Sequence, residues 1–145
     1  MTDVSFDAHE QAIRQHVAAQ GFMNLIGAQL GKITKGTCEM SVQKRPELLQ
    51  QHGMFHGGVT AFLVDNSTTI AASTMIQQGQ AVLTAEYKLS LLAPGVGERL
   101  VCRARVIKAG RTLSVVAADV FSVTGAEEKL TATALATIAV IAAKT

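Results

Sequence analysis

Gln50-Gln51-His52-Gly53-Met54-Phe55-His56-Gly57-Gly58-Val59-Thr60-Ala61-Phe62-Leu63-Val64-Asp65-Asn66 is the stretch that organises this chain. A glycine-bearing loop gives way at Gly57-Gly58 to one long apolar helix, approximately residues 58–78, with Gly79 placed to end it. Two glycines at a helix start leave its first N–H groups unblocked, at a terminus carrying about half a positive charge. Such a terminus can hold a carbonyl oxygen and stabilise an oxyanion formed under attack. The same pair would equally serve a tight turn or close packing.

Asp65 lies about two turns into this helix, between Phe62-Leu63-Val64 and Ile70-Ala71-Ala72. Burying a charged carboxylate among such neighbours costs several kcal/mol unless it is partnered. Desolvation there would strengthen it as a base or nucleophile. The alternative is a surface position, with Asp65 to Thr69 forming an exposed polar strip. From Gly57 to Asp65 is eight residues, roughly 12 Å along the axis. An aspartate side chain does not span that to a carbonyl held at its own helix start. If both groups act on one carbonyl, they come from different subunits with antiparallel neighbouring helices. A symmetric dimer with two equivalent sites is then part of the chemistry.

Working outward, Asp7 can N-cap a helix of about residues 8–19, whose Ala12, Ile13, Val17 and Ala18 follow helical spacing, with Gly21 as its stop. Residues 22–27 read as a short apolar turn, and 28–34 with 37–43 as a hairpin around Lys35-Gly36. Pro46 opens an irregular or helical stretch through Gln51. Strands are expected near 81–92, 98–109, 112–123 and 128–141, with turns at Pro94-Gly95-Val96-Gly97, Gly110 and Thr124-Gly125. In the last strand Leu130, Ala132, Ala134, Ala136, Ile138 and Val140 share one face, opposite Thr131, Thr133 and Thr137. The expected architecture is α+β in one domain, 1–145, with residues 1–20 as an appended helix. Four meandering strands and the hairpin form one large antiparallel sheet wrapped around the long helix.

Composition narrows the function. The chain has 145 residues, 48% apolar and 17% charged, which excludes disorder. Aromatics are 4% with no Trp, so the core must be built from small aliphatic side chains. The net charge of +2 is scattered, without the basic stripe of a nucleic-acid binder. Cys38 and Cys102 are far apart and read as reduced, buried thiols of a cytoplasmic protein. Residues 1–16 lack an apolar signal region, and Asp65 to Thr69 interrupt the longest apolar run, which argues against a membrane span. His52 and His56 are spaced i, i+4, but Gly53 interrupts them and no acidic third ligand is near, so no metal is expected. His56 is read as fixing the loop, with a role as base the lesser option. His9 and His16 are read as solvated. No G-x-S-x-G elbow, dinucleotide fingerprint or P-loop is present.

His56-Gly57-Gly58 followed by Asp65-Asn66 resembles the signature of hotdog-fold acyl-CoA thioesterases of the phenylacetic-acid-degradation type. Val82-Leu83-Thr84-Ala85-Glu86-Tyr87-Lys88-Leu89, Leu92-Ala93-Pro94 and Val106-Ile107-Lys108-Ala109-Gly110-Arg111-Thr112-Leu113 are similar to that family's later strands, so the match covers about residues 20–142. The resemblance implies a curved antiparallel sheet around a central helix, a homodimer and commonly a dimer of dimers. It implies metal- and cofactor-free hydrolysis of an acyl-CoA substrate. Carried over, the Gly57 N–H, beside Gly58, polarises the carbonyl, and Asp65 of the partner subunit activates water or attacks directly. Thr84 stands where a family hydroxyl orients water. Gln50 stands where the family often has Asn, the same amide on a longer stem. Lys108, Arg111 and Thr112, near the Gly110 turn, are the candidates for the coenzyme phosphates. The competing readings are a hotdog enoyl-CoA hydratase or dehydratase using His56, and a non-catalytic acyl-CoA-binding protein.

Overall fold

The computed structural model describes residues 4–144, and side chains from Phe6 onward. Helix α1 is Val4–Ala18, α2 Gly21–Ile26 and α3 Gly57–Ser73, with a short 3-10 turn at Pro46–Leu48 before α3. The strands are β1 Ala28–Thr34, β2 Thr37–Gln43, β3 Gln80–Leu91, β4 Arg99–Ala109, β5 Leu113–Thr124 and β6 Glu127–Ala142. They form one six-stranded antiparallel sheet in the order β1-β2-β4-β5-β6-β3.

That order corrects the expected four-strand meander. Only β4-β5-β6 runs consecutively; β3 pairs with β6 at the far edge instead of with β4. The physical reason lies in the segment leaving β3. Pro94 offers no ladder donor, and its neighbours are bonded elsewhere. The N–H groups of Leu92 and Ala93 donate to the Thr131 carbonyl, Phe55 N–H to Gly95 O, and Gly97 N–H to Ser122 Oγ at 2.7 Å. The segment therefore crosses the sheet's end beside the start of α3. A side chain at Gly97 has no room, because its Cβ would lie 2.5 Å from the Val123 carbonyl.

Three boundaries also differ. Helix α1 begins at Val4, so Asp7 sits in its first turn instead of capping it. Residues 21–26 make a helical turn closed by Gly27 at φ 70°, a left-handed position suited to glycine. Helix α3 stops at Ser73 because hydroxyls take over its last carbonyls: Ser73 Oγ donates to Ile70 O and Thr74 Oγ1 to Ala71 O, both at 2.7 Å.

Leu63, Val64, Ala71 and Ala72 of α3 are fully buried against Met40, Cys102, Val116, Ala132, Ala136 and Ile138 of the sheet. Small strand residues let helix and sheet approach closely, as the near-absence of aromatics requires. Leu130 departs from the expected face of β6: it is exposed, because a bulge at Thr131 adds a residue between the Phe121 and Val120 pairings and inverts the alternation. Both cysteines are free and buried. Burial pushes the Cys102 thiol up to about 12 and the Cys38 thiol further still.

Candidate active site

Two features of α3 bear on chemistry, one at its start and one at its middle. The start is held by His56, the N-cap, whose Nδ1 accepts the Gly58 N–H at 2.9 Å. An accepting Nδ1 leaves the neutral ring's proton on Nε2. The His56 N–H in turn donates to Leu48 O at 2.9 Å, tying the cap to the preceding 3-10 turn. Gly58 is thus occupied by its own cap, and a Cβ there would come within 3.0 Å of the imidazole. The Gly57 N–H meets no acceptor among the described residues. Gly57 lines a cavity of about 390 Å³ together with Gln50, Thr60, Leu91, Pro94 and Thr131 among others. A bare donor at a helix start, opening on a cavity, suits a carbonyl oxygen.

Gln50 lines the same cavity, but its amide oxygen is engaged by the His52 N–H and its backbone N–H by Met54 O. Its amide therefore belongs to a closed turn that Gly53, at φ 77°, makes possible.

Asp65 lies on the side of α3 turned away from the core and is half-buried. Its Oδ1 accepts a hydrogen bond from Thr84 Oγ1 of β3 at 2.7 Å. Thr84 has one proton and directs it to the carboxylate, and its oxygen lies 2.8 Å from the Thr69 hydroxyl. Thr69 Oγ1 donates to the Asp65 carbonyl at 2.8 Å. No cation forms an ion pair with Asp65 among the described residues. The carboxylate is oriented through one oxygen and not neutralised, an arrangement that keeps it available as base or nucleophile.

Lys108, Arg111 and Thr112 are exposed around the β4–β5 turn. The turn is tight: the Gly110 N–H donates to Leu113 O at 2.8 Å, and a Cβ on Gly110 would meet that oxygen at 2.5 Å. Strand register aligns Thr84 with Ile138, Ile138 with Ser114 and Ser114 with Ala109. The basic turn therefore lies at the sheet end reached by the Thr84 row and makes no bond to Asp65 or Gly57. His9 is not simply solvated: its Nε2–H donates to Ser73 O at 2.7 Å. His52 is exposed, and no cluster of three or more His, Cys, Asp or Glu suited to a metal occurs among the described residues. The sequence pointed to Asn66 only as part of the signature and to Thr69 only as part of a polar strip, with no role in the site for either. The spacing i, i+4 from Asp65 to Thr69 on a helix was the available signal.

Six antiparallel strands curved around one long helix are the hotdog fold, and its hydrolases work on thioesters. The chain belongs to the thioesterase superfamily, whose family model matches residues 52–129. It is 32% identical over 117 residues to human acyl-coenzyme A thioesterase 13, covering 75% of this chain and 81% of that protein. A solved thioesterase family protein from Silicibacter pomeroyi superposes with a TM-score of 0.90 at 34% identity, covering 93% of this chain and 99% of that one. The PaaI protein of the E. coli phenylacetic acid degradation operon shares the fold, with a TM-score of 0.81 at 19% identity and coverage of 92% and 93%. The protein is a thioester hydrolase. No helix among the described residues is long and apolar enough to cross a membrane.

Proposed function

We propose that this protein hydrolyses acyl-CoA thioesters without a metal, using Asp65 of one subunit and the helix start at Gly57 of another. The observation that carries the proposal is the Asp65 carboxylate on the open side of α3, braced by Thr84 and, among the described residues, not ion-paired with any cation. The similarity to acyl-coenzyme A thioesterase 13 supports the substrate class.

In the reaction the thioester carbonyl oxygen accepts the Gly57 N–H, which draws electron density from the carbonyl carbon. Asp65 takes a proton from water as the new C–O bond forms, or attacks that carbon itself to give an anhydride that water then cleaves. The resulting oxyanion lies at the positive end of the helix. Its collapse breaks the C–S bond, and the departing coenzyme A thiolate is protonated. Thr84 holds the carboxylate in place. Lys108, Arg111 and Thr112 supply cationic and hydroxyl donors for the coenzyme phosphates, and Gln50 and Gly58 shape the carbonyl side of the site. Reduced, buried cysteines fit a cytoplasmic protein.

The two halves of this machinery stand eight residues apart on one rigid helix, roughly 12 Å. A second copy removes the difficulty. Strand β3 is a twelve-residue edge with one side unpaired, and it exposes Leu83, Tyr87 and Leu91. A long, apolar, unpaired edge is a ready place for a second strand. Two-fold pairing there sets the α3 helices side by side and antiparallel, bringing each Asp65 toward the other copy's Gly57. A dimer of dimers is the expected higher assembly.

The test is a hydrolysis assay over acyl-CoA substrates, detecting the released thiol, with wild type and Asp65→Asn. The variant should lose about 10²- to 10⁴-fold in kcat while keeping its fold by circular dichroism. Turnover close to wild type would refute the role of Asp65.

A further inference from the structure

We propose that α1 walls the acyl compartment of this site, and that the compartment takes a straight aliphatic chain whose usable length α1 sets. The inference rests on the acyl-CoA hydrolase reading and extends it to the part of the substrate that does not react.

A cavity of about 550 Å³ lies between α1, the second half of α3 and the first residues of β3. It adjoins the carboxylate through shared residues. Thr69, whose hydroxyl contacts that of the Thr84 that holds Asp65, is part of its wall, as is Asn66 next to Asp65 in sequence. A thioester whose carbonyl carbon is within reach of Asp65 therefore has this cavity open to one of its two arms.

Helix α1 is held off α3 at two points instead of packing flat on it. At one end Asn66 Nδ2 donates to Gln20 Oε1 at 3.0 Å, just beyond the last turn of α1. At the other end the His9 ring donates to the Ser73 carbonyl at 2.7 Å. Asn66 and Ser73 are seven residues apart, roughly 10 Å along the helix. Between these pins α1 contributes Ala12, Ile13, His16 and Val17 to the wall, and at Ala12 the side chain is too small to fill the gap. Ile13 and Val17 are meanwhile buried in the core, so α1 is fixed there by packing as well. A helix anchored on both sides of a void preserves that void.

The lining selects the class of occupant. Ile13, Ile70, Ile76 and Val82 supply aliphatic surface beside polar side chains such as Gln77 and Gln80, and no Phe, Tyr or Trp lines the cavity to pack on an aromatic ring. Apolar surface of this kind rewards each added methylene. The volume falls within the range of ligand cavities that enclose most of a small molecule. A flexible hydrocarbon chain fits these terms.

The experiment compares kcat/KM for butanoyl-, octanoyl-, dodecanoyl- and phenylacetyl-CoA in wild type, Ala12→Trp and Gln11→Trp. Gln11 is an exposed neighbour on the same helix that lines no described cavity, so it controls for the bulk of Trp on α1. Wild type should prefer dodecanoyl over butanoyl and over phenylacetyl substrate. Ala12→Trp should lower the dodecanoyl-to-butanoyl ratio by about tenfold or more, through the methylene contacts it displaces, and Gln11→Trp should leave that ratio unchanged. If Ala12→Trp folds poorly, Ala12→Leu should shift the preferred length in the same direction. An unchanged ratio in a folded Ala12 variant, an equal fall at every length, or a wild-type preference for phenylacetyl-CoA overturns the proposal while leaving thioester hydrolysis standing. Absence of hydrolysis by wild type on every substrate overturns both readings.

Discussion

The two faces of α3 do opposite work. One carries Leu63, Val64, Ala71 and Ala72, all fully buried against the sheet. The other carries Gly58, Ala61, Asp65, Thr69 and Ser73 at spacings of three and four residues, and every one of these keeps some exposure. The first face follows ordinary burial: apolar area removed from water at about 25 cal/mol per Å². The second leaves a carboxylate half out of water, held by a hydroxyl from a neighbouring strand, where an apolar residue would cost the fold nothing. A position that stability does not require, yet which is positioned by its neighbours, marks function.

The two faces should separate cleanly under mutation. The largest effect expected is on activity alone. Asp65→Asn should cost about 10²- to 10⁴-fold in kcat with a melting temperature close to wild type, and a comparable loss of stability would show that the open face is structural after all. The opposite substitution is Leu63→Ala, which should cost about 2–5 kcal/mol of stability through lost burial and a residual cavity. Its kcat, measured on the folded fraction below its melting temperature and normalised to folded protein, should stay near wild type. Urea unfolding followed by circular dichroism checks the first half of that statement. Between the two lies Thr84→Ala, which removes the hydrogen bond orienting the carboxylate, worth about 1.5 kcal/mol or roughly tenfold in kcat/KM. Thr84→Ser keeps the hydroxyl and should recover most of the loss. The smallest expected signal is a null one. Burial pushes both thiols up, so at pH 8 Cys38 and Cys102 stay protonated and should not react with a thiol reagent until the protein unfolds. Rapid labelling of the native protein would contradict the burial of that part of the core.

The legible parts of this molecule were those written locally. The glycine pair before a long apolar run announces the start of α3, and an aspartate among Leu63, Val64 and Ile70 is conspicuous at any resolution of reading. The β4-β5-β6 meander is equally local, since Gly110 and Thr124-Gly125 mark its turns. What stayed hidden is non-local. The alternation of β3 states that it is a strand and nothing about which neighbour it takes. Its place beside β6 is settled by backbone bonds from Leu92 and Ala93 to Thr131, which no pattern within β3 displays. The same bulge at Thr131 turned Leu130 outward against the period-two reading. The early end of α3 came from Ser73 and Thr74 competing for carbonyls, a local cue overshadowed by Gly79. At the site, Asp65 and the Thr84 hydroxyl were both visible, whereas the bond between them and the contact with Thr69 depended on β3 lying over α3.

The division of each site between two copies is the central claim, and mixing two inactive variants tests it directly. Gly57→Pro removes the N–H donor but suits the first helical position. Gly57 is not among the glycines at positive φ, and His56 before it is extended at φ −64°, ψ 138°, as a residue preceding proline should be. Gly57→Pro and Asp65→Asn should each be nearly inactive alone. Denatured together and refolded as a mixture, half of the dimers would be mixed, each carrying one intact site, so about a quarter of the wild-type activity should return. If the mixture stays as inactive as its components while size exclusion shows mixed dimers, the two groups act within one chain or not together, and the account is wrong.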